Sequence, residues 1–479
     1  MIATANNTDL LKTQIQEVFE KQKKYAPELK IIPIYERIKK LKKILNYILK
    51  NREEIQKCLY QDFKKNPTET EITETFGTVA EIRHIIKNLE QWLSPKVVDT
   101  PLPLVGSQSK IILEPKGVTL IISPWNYPFS LAVAPLVCAI AAGNTVILKP
   151  SELSMATSSL LSKMMKELFD EKEVAVFEGD ASVATELLTL PFDHIFFTGS
   201  TNIGKKVMEA ASKNLSSVTL ELGGKSPVFI EESADIEDSA EKIVWGKFIN
   251  TGQTCIAPDY VMVPQHKKAL FVSALRRNIE KFYNADSKGI EKCEYFGRII
   301  NDRHYHRLIG LIEDAINKGA NIAYGGNTSS SERYIQPTLL VDVEKNMKVM
   351  QEEIFGPVLP IIGYEELDNA IRFVTSMEKP LALYVFSQNK TKTNYIIQRT
   401  SAGTTCINEC VIQFSNTNLP FGGVNHSGIG KSHGYFGVLA FSNERSVLEQ
   451  RTGLTTVKAL YPPYNELVKS MIDAMIKWL

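Results

Sequence analysis

The chain has no apolar run long enough to cross a bilayer. Its longest, Leu131 to Ala142, is 12 residues and contains Pro135, against the ~20 that a spanning helix requires, so it reads as a buried helix. Cysteine is sparse. The six, at positions 58, 138, 255, 293, 406 and 410, form no Cys-x-x-Cys pair, which excludes a disulfide framework and a zinc ribbon and fits a reducing compartment. Neither sign of charge dominates: 55 Lys+Arg against 54 Asp+Glu leaves +1, which gives no reason to invoke nucleic acid or an acidic ligand. Residues 1–11 lack the basic-then-apolar pattern of a signal peptide. The nearest approach to a metal motif is His304-Tyr305-His306, whose two rings diverge on a helix. These absences predict a cytoplasmic globular protein with no metal centre. At 479 residues and 44% hydrophobic, two or three domains are expected.

Residues 8–94 read as helical. Ile38, Leu41, Ile44, Leu45, Ile48 and Leu49 recur at helical spacing, with lysines on the opposite face. The Pro-rich stretch 95–106 breaks this pattern, and 109–113 reads as a strand. From Gly117 apolar runs at 118–122, 145–148, 174–177, 194–197 and 218–222 alternate with helix-length segments. That alternation predicts a parallel, doubly wound α/β sheet, in which ligands bind beyond the carboxyl ends of the strands. A second α/β set runs from Val228 to about Gly403, with later strands at 358–362 and 381–386. The tail, 466–479, is amphipathic, with Leu467, Val468, Met471, Ile472, Met475, Ile476 and Leu479 on one face. It suits packing against the body or a partner subunit, or peripheral contact with a membrane surface through Lys469 and Lys477.

The chemistry-bearing residues cluster at the ends of these elements. Cys255 lies in Gly252-Gln253-Thr254-Cys255-Ile256-Ala257-Pro258-Asp259, after a predicted helix over 236–249. A thiol needs local help to ionise, and the backbone N–H groups of that turn are placed to give it. Glu221 ends the strand 218–222, on the face away from Val218, Leu220 and Leu222. A carboxylate there is either ion-paired or tuned in pKa, and the second suits a general base. Asn126, between Pro124 and Pro128, offers an amide donor for a developing oxyanion, or an Asx turn. No Gly-x-Gly-x-x-Gly follows the first strand. Instead Gly199-Ser200-Thr201-Asn202-Ile203-Gly204 follows the fourth and opens a helix, which suits a pyrophosphate. It is a near miss for a P-loop, since Lys206 stands where a Ser or Thr would bind magnesium.

The stretches Pro124-Trp125-Asn126-Tyr127-Pro128-Phe129, Glu221-Leu222-Gly223-Gly224-Lys225-Ser226-Pro227 and that around Cys255 resemble the signatures of the aldehyde dehydrogenase superfamily. With Pro420-Phe421-Gly422-Gly423-Val424 and Ser427-Gly428, the chain looks most like the class 3, fatty-aldehyde branch. The resemblance implies a Rossmann-type parallel-sheet cofactor domain over 1–95 and 115–222, to which about 420–445 returns. It implies an α/β catalytic domain over 223–403, and a small β oligomerisation element from 96–114 and about 446–460. Residues 461–479 would be the amphipathic tail. Cys255 would be the nucleophile, Glu221 the base and Asn126 an oxyanion donor. Lys149 and Glu152 would lie near the adenosine ribose, Gly199, Ser200 and Gly204 would border the dinucleotide, and Glu353 would hold the nicotinamide ribose beside Phe355. The implied cofactor is NAD, with NADP left open by Lys149. The implied substrate is a medium- to long-chain aliphatic or aromatic aldehyde, and the implied assembly a homodimer. The coenzyme A-acylating branch generally lacks a base where this chain has Glu221, so hydrolysis is the expected fate of the acyl group. A non-catalytic protein of this fold would have no reason to keep Cys255, Glu221 and Asn126 together.

Overall fold

The computed structural model describes residues 2–101, 104–453 and 455–478. Met1, Leu102, Pro103, Leu454 and Leu479, which fall in the predicted N-terminus, Pro-rich stretch, bridging element and tail, lie outside the described residues.

Two mainly parallel sheets, each with one antiparallel edge strand, carry the two halves of the chain. The first has six strands, in the spatial order Gly428–Ile429, Ser217–Glu221, His194–Thr198, Val118–Ile122, Thr145–Lys149 and Val174–Val176. All are parallel except the first, which pairs antiparallel with Gly428 opposite Glu221. Every residue of Val118–Ile122 and Thr145–Lys149 is buried, as expected for strands covered on both faces. One face packs against the N-terminal helices Ile34–Lys50, Arg52–Phe63 and Gly77–Leu93 and against Ser130–Ala142, and the other against Ile15, Val18 and Phe19. Strand order reverses between Val118–Ile122 and His194–Thr198, so their carboxyl ends open a crevice at the switch point.

The helix Ser130–Ala142 is the predicted 12-residue apolar run. It ends where Gly143 takes a left-handed φ of 97°, and the Arg37 guanidinium donates to the carbonyls of Ala141 and Ala142 at 3.3 and 2.7 Å. A cation on the last carbonyls satisfies groups that the helix itself leaves free. Along Ile34–Lys50, Leu41, Ile44 and Ile48 are fully buried, but Leu49 is exposed; the apolar stripe is narrower than its sequence periodicity.

The second sheet has seven strands, in the order Asn321–Tyr324, Thr338–Val341, Val358–Tyr364, Tyr260–Pro264, Pro227–Ile230, Ala382–Phe386 and Thr404–Ile407. The chain passes between the two sheets at residues 222–226. A third, antiparallel sheet joins Lys96–Val98, Ser107–Pro115 and Ser442–Gln450. The Pro-rich stretch is therefore not only a break: Lys96, Val97 and Val98 pair with Ile111, Lys110 and Ser109. The tail forms the helix Glu466–Trp478, on which Val468 is buried while Leu467, Met471, Ile472 and Ile476 are exposed. Among the described residues no helix is long and apolar enough to cross a membrane.

Gly423 marks where the chain returns to the first sheet: a Cβ there would lie 1.9 Å from the Ser427 carbonyl oxygen. Gly423→Ala should force the pairing of residues 428–429 with Glu221 apart and cost about 1–3 kcal/mol. Gly310→Ala, in the interior of helix Asp302–Asn317 where no atom lies within 4 Å, should hold or raise stability by up to about 1 kcal/mol. Thermal unfolding of the two variants beside the parent checks both signs.

Candidate active site

Three loops converge at the carboxyl ends of the first sheet. The first, residues 222–226, leaves the strand that carries Glu221. The second follows helix Ile236–Phe248, whose N-terminus Asp235 caps by accepting from the Asp238 N–H at 3.0 Å. Asn250, Thr251 and Gly252 then all take left-handed φ values of 51°, 57° and 75°. Such conformations are costly for Asn and Thr, and they turn the chain sharply just before Cys255. The third loop carries Glu352, Glu353 and Phe355, the last at φ 51°. Backbone meets backbone where these loops touch: a Cβ on Gly252 would sit 2.3 Å from the Gly356 carbonyl oxygen, so only glycine fits. A Cβ on Gly223 would sit 2.0 Å from Glu353 Oε2.

The convergence encloses a cleft of about 1180 Å³. Cys255, Glu221, Asn126, Gly199, Ser200, Glu353 and Phe355 all line it, with Trp125, Leu131, Phe414 and Phe421. Three expected residues do not. Lys149 is buried and its Nζ donates to Glu152 Oε2 at 3.0 Å, at the carboxyl edge of the same sheet opposite Ile122. Gly204 lies outside the lining, where a Cβ would meet the Leu222 side chain at 2.6 Å. His304 lies 5.0 Å from the Trp125 ring and His306 5.3 Å from the Tyr305 ring, and Trp125 lies 5.3 Å edge-on to Phe355. Among the described residues no His/Cys/Asp/Glu group could hold a metal.

Burial sets the electrostatics. Glu221 is 5% exposed, and among the described residues its only hydrogen bond to a side chain comes from the Ser432 hydroxyl. Among the described residues it makes no ion pair, which decides between the two readings of this carboxyl. Loss of water pushes it up to about 7, against the opposing pull of Ser432 and Lys431. Glu353 is pushed up to about 8 by burial and by the nearby charge of Asp259, opposed by the Gly224 N–H, Lys225 and Arg307. The Cys255 thiol is half-buried. Burial and the carboxylates of Glu353 and Glu221 drive it well above the usual thiol range, while the N–H groups of Cys255 and Ile256 pull the other way. The helping donors are its own and the following N–H, and desolvation outweighs them. Asn126 is buried, and its Nδ2 donates to the Gln253 carbonyl at 3.0 Å, which leaves the second amide hydrogen without a partner among the described residues.

The residues fit a dinucleotide. Glu353 Oε1 is buried without a hydrogen-bond partner, an acceptor suited to a ribose hydroxyl. The helix Thr201–Ser212 starts in the cleft at Ser200, whose side chain gives it no cap, so its first N–H groups are available to phosphate.

Sequence reading missed several residues that build the site. Asp259 pairs with Lys225 and accepts from the Ile354 N–H at 3.0 Å. Lys225 also donates to the carbonyls of Val349 and Glu352 at 2.8 and 3.0 Å, and Arg307 to those of Glu353 and Ile354 at 3.2 and 2.5 Å. Lys225 and Asp259 both stand within the quoted motifs, and a charge of each sign in such a place was the available signal.

Residues 2–447 match the model of the aldehyde dehydrogenase family. The chain is 41% identical to aldehyde dehydrogenase family 3 member B1 of Rattus norvegicus over 89% of its own length and 90% of that protein. To the dimeric NADP-preferring aldehyde dehydrogenase of Canis lupus familiaris it is 40% identical, over 94% and 98%. A solved substrate-bound state of Staphylococcus aureus AldH superposes with a TM-score of 0.92 at 42% identity, covering 96% of this chain and 99% of that one. A Mycobacterium tuberculosis aldehyde dehydrogenase complexed with NAD+ superposes at 0.84 with 27% identity, covering 93% and 91%. Matching along almost its whole length, in fold and in sequence, the chain belongs to the aldehyde dehydrogenase family, whose general reaction is the NAD- or NADP-dependent oxidation of an aldehyde.

Proposed function

We propose that the chain oxidises an aldehyde to the carboxylic acid through a thioester on Cys255, with Glu221 activating the hydrolytic water. The observation that carries this reading is the meeting of Cys255, Asn126 and the buried, unpaired Glu221 in one cleft. In the first half-reaction the Cys255 thiol gives up its proton to solvent and the thiolate sulfur bonds to the aldehyde carbon. The oxygen becomes an oxyanion held by the second Asn126 amide hydrogen and the Cys255 N–H. Such donors contribute about 3–4 kcal/mol to acyl-transfer barriers. A nicotinamide dinucleotide, when bound, supplies the hydride acceptor and a cationic ring. Loss of hydride from the adduct leaves the thioester. Glu221 then takes a proton from water, the hydroxide adds to the thioester carbon, and the acid departs as the thiolate leaves.

The Glu353 carboxylate is assigned to the nicotinamide ribose and Phe355 to the ring beside it. Gly199, Ser200 and the helix start that follows are assigned to the pyrophosphate, and the Lys149–Glu152 pair to the adenosine ribose. The ion pair weakens the repulsion that a lone Glu152 would exert on a 2′-phosphate, which keeps NADP alongside NAD. The apolar lining from Trp125, Leu131, Phe414 and Phe421 suits medium- to long-chain aliphatic or aromatic aldehydes. The six-stranded sheet and its helices form the cofactor domain and the seven-stranded sheet the catalytic domain. The three-stranded sheet serves homodimer assembly in a cytoplasmic enzyme. The exposed apolar residues of Glu466–Trp478 support peripheral contact of the tail with a membrane.

Stopped-flow mixing of the protein and NAD with straight-chain aldehydes should give a burst of reduced nicotinamide, then steady turnover to acid without coenzyme A. Glu221→Gln should keep the burst and lose at least about 10²-fold in steady turnover, whereas Cys255→Ala should lose both. A Glu221→Gln protein with full steady turnover would remove Glu221 from the base role. Because Glu221 must be deprotonated to act and its pKa is raised to about 7, deacylation should rise with pH through a midpoint near that value. A midpoint in the ordinary carboxylate range would contradict the assignment. Removing residues 466–479 should abolish sedimentation with anionic phospholipid vesicles and leave turnover of a water-soluble aldehyde unchanged.

A further inference from the structure

Behind the site lies an ion pair that none of these steps uses. Lys65 and Glu74 are both essentially fully buried, with Nζ 2.9 Å from Oε1. Burying such a pair costs two desolvations, and apolar residues of the same volume commonly hold a fold as well or better. Fold stability alone therefore gives little reason for this pair. Its other contacts run to one place. Lys65 Nζ donates to the Asn126 carbonyl at 3.4 Å and stands 4.2 Å from the Tyr127 ring centroid. Glu74 Oε2 accepts from the Ser130 N–H at 2.8 Å. The pair thus grips the turn 126–130 at both ends.

That turn is locked in turn to the loop of the thiol. The Asn126 carbonyl accepts a second hydrogen bond from Asn250 Nδ2 at 2.8 Å, and the Tyr127 hydroxyl shares one of 2.6 Å with Thr254 Oγ1. The Asn250 N–H is held by Glu69 Oε1 at 2.9 Å. Glu74 comes from a π-helical turn, Glu71–Phe76, with the Thr78 hydroxyl donating to its carbonyl at 2.6 Å. One-turn π segments are rare inside helices and recur near functional sites.

We infer that Lys65 and Glu74 are positioning residues that fix the Asn126 amide relative to Cys255 by holding the 126–130 turn from behind. The inference rests on Asn126 being the oxyanion donor. Misplacing a reacting or stabilising group by about 1 Å can cost 10²-fold in rate, so loosening this turn should be felt in the first half-reaction.

The test is the neutral, near-isosteric pair Lys65→Met/Glu74→Gln, read by the rate of the reduced-nicotinamide burst in the full-length protein. The burst should slow by about 10- to 100-fold while KM for NAD changes less than about twofold. In an Asn126→Ala background the same double substitution should slow the burst by less than about twofold further, because a residue that acts only through Asn126 has nothing left to position. A wild-type burst rate, or a full additional slowing in the Asn126→Ala background, would show that the pair supports the fold and not the oxyanion donor. An Asn126→Ala protein with an unchanged burst would instead overturn the oxyanion reading itself. Should the Met/Gln pair fail to fold, Lys65→Gln/Glu74→Gln, whose amides can bond to each other, carries the same two comparisons.

Discussion

Asp259 is the point on which the arrangement of the site depends. Its carboxylate pairs with Lys225 and holds the Ile354 N–H, and its own N–H donates to the Ser226 carbonyl at 2.8 Å. One buried residue thereby joins the loop after Glu221, the loop after Cys255 and the loop of Glu353. Each loop leaves a different strand or helix, and without a common tie their side chains would meet only by chance. An unpaired charge at such depth would cost several kcal/mol; Lys225 and the backbone donors offset that cost and at the same time fix the spacing of the three loops.

Close approach supplies the rest. Gly252 lets the thiol loop rest against Gly356, and Gly223 makes room for the Glu353 carboxyl. The result is burial of the groups around the cleft, and that one condition leads three separate shifts. Glu221 and Glu353 titrate near neutrality, and the Cys255 thiol is held back from ionising. A base near 7 is suited to accept a proton from water and release it again.

Much of this was legible in the sequence, and for physical reasons. Strands buried on both faces leave continuous apolar runs, so the first sheet was readable almost to the residue, and Glu221 stood out because a carboxylate at the end of such a run needs an explanation. Cys255 was marked by its glycine-flanked turn. Lys65 and Glu74 left no trace: a lysine in Phe63-Lys64-Lys65-Asn66 looks like solvated surface, and only the long-range fold brings it under Asn126. Leu49 and the strand Lys96–Val98 failed for a similar reason, since exposure and antiparallel pairing at an edge are decided by partners distant in sequence.

The central claim is that the substrate carbon becomes covalently attached to Cys255. Its most direct test is a rapid acid quench during turnover of Glu221→Gln with aldehyde and NAD, followed by digestion and mass spectrometry of the thiol peptides. The account predicts that the acyl group accumulates on the peptide containing Cys255 and on no other cysteine. Acylation of Cys406 or Cys293, or reduced nicotinamide formed with every thiol unmodified, would contradict it.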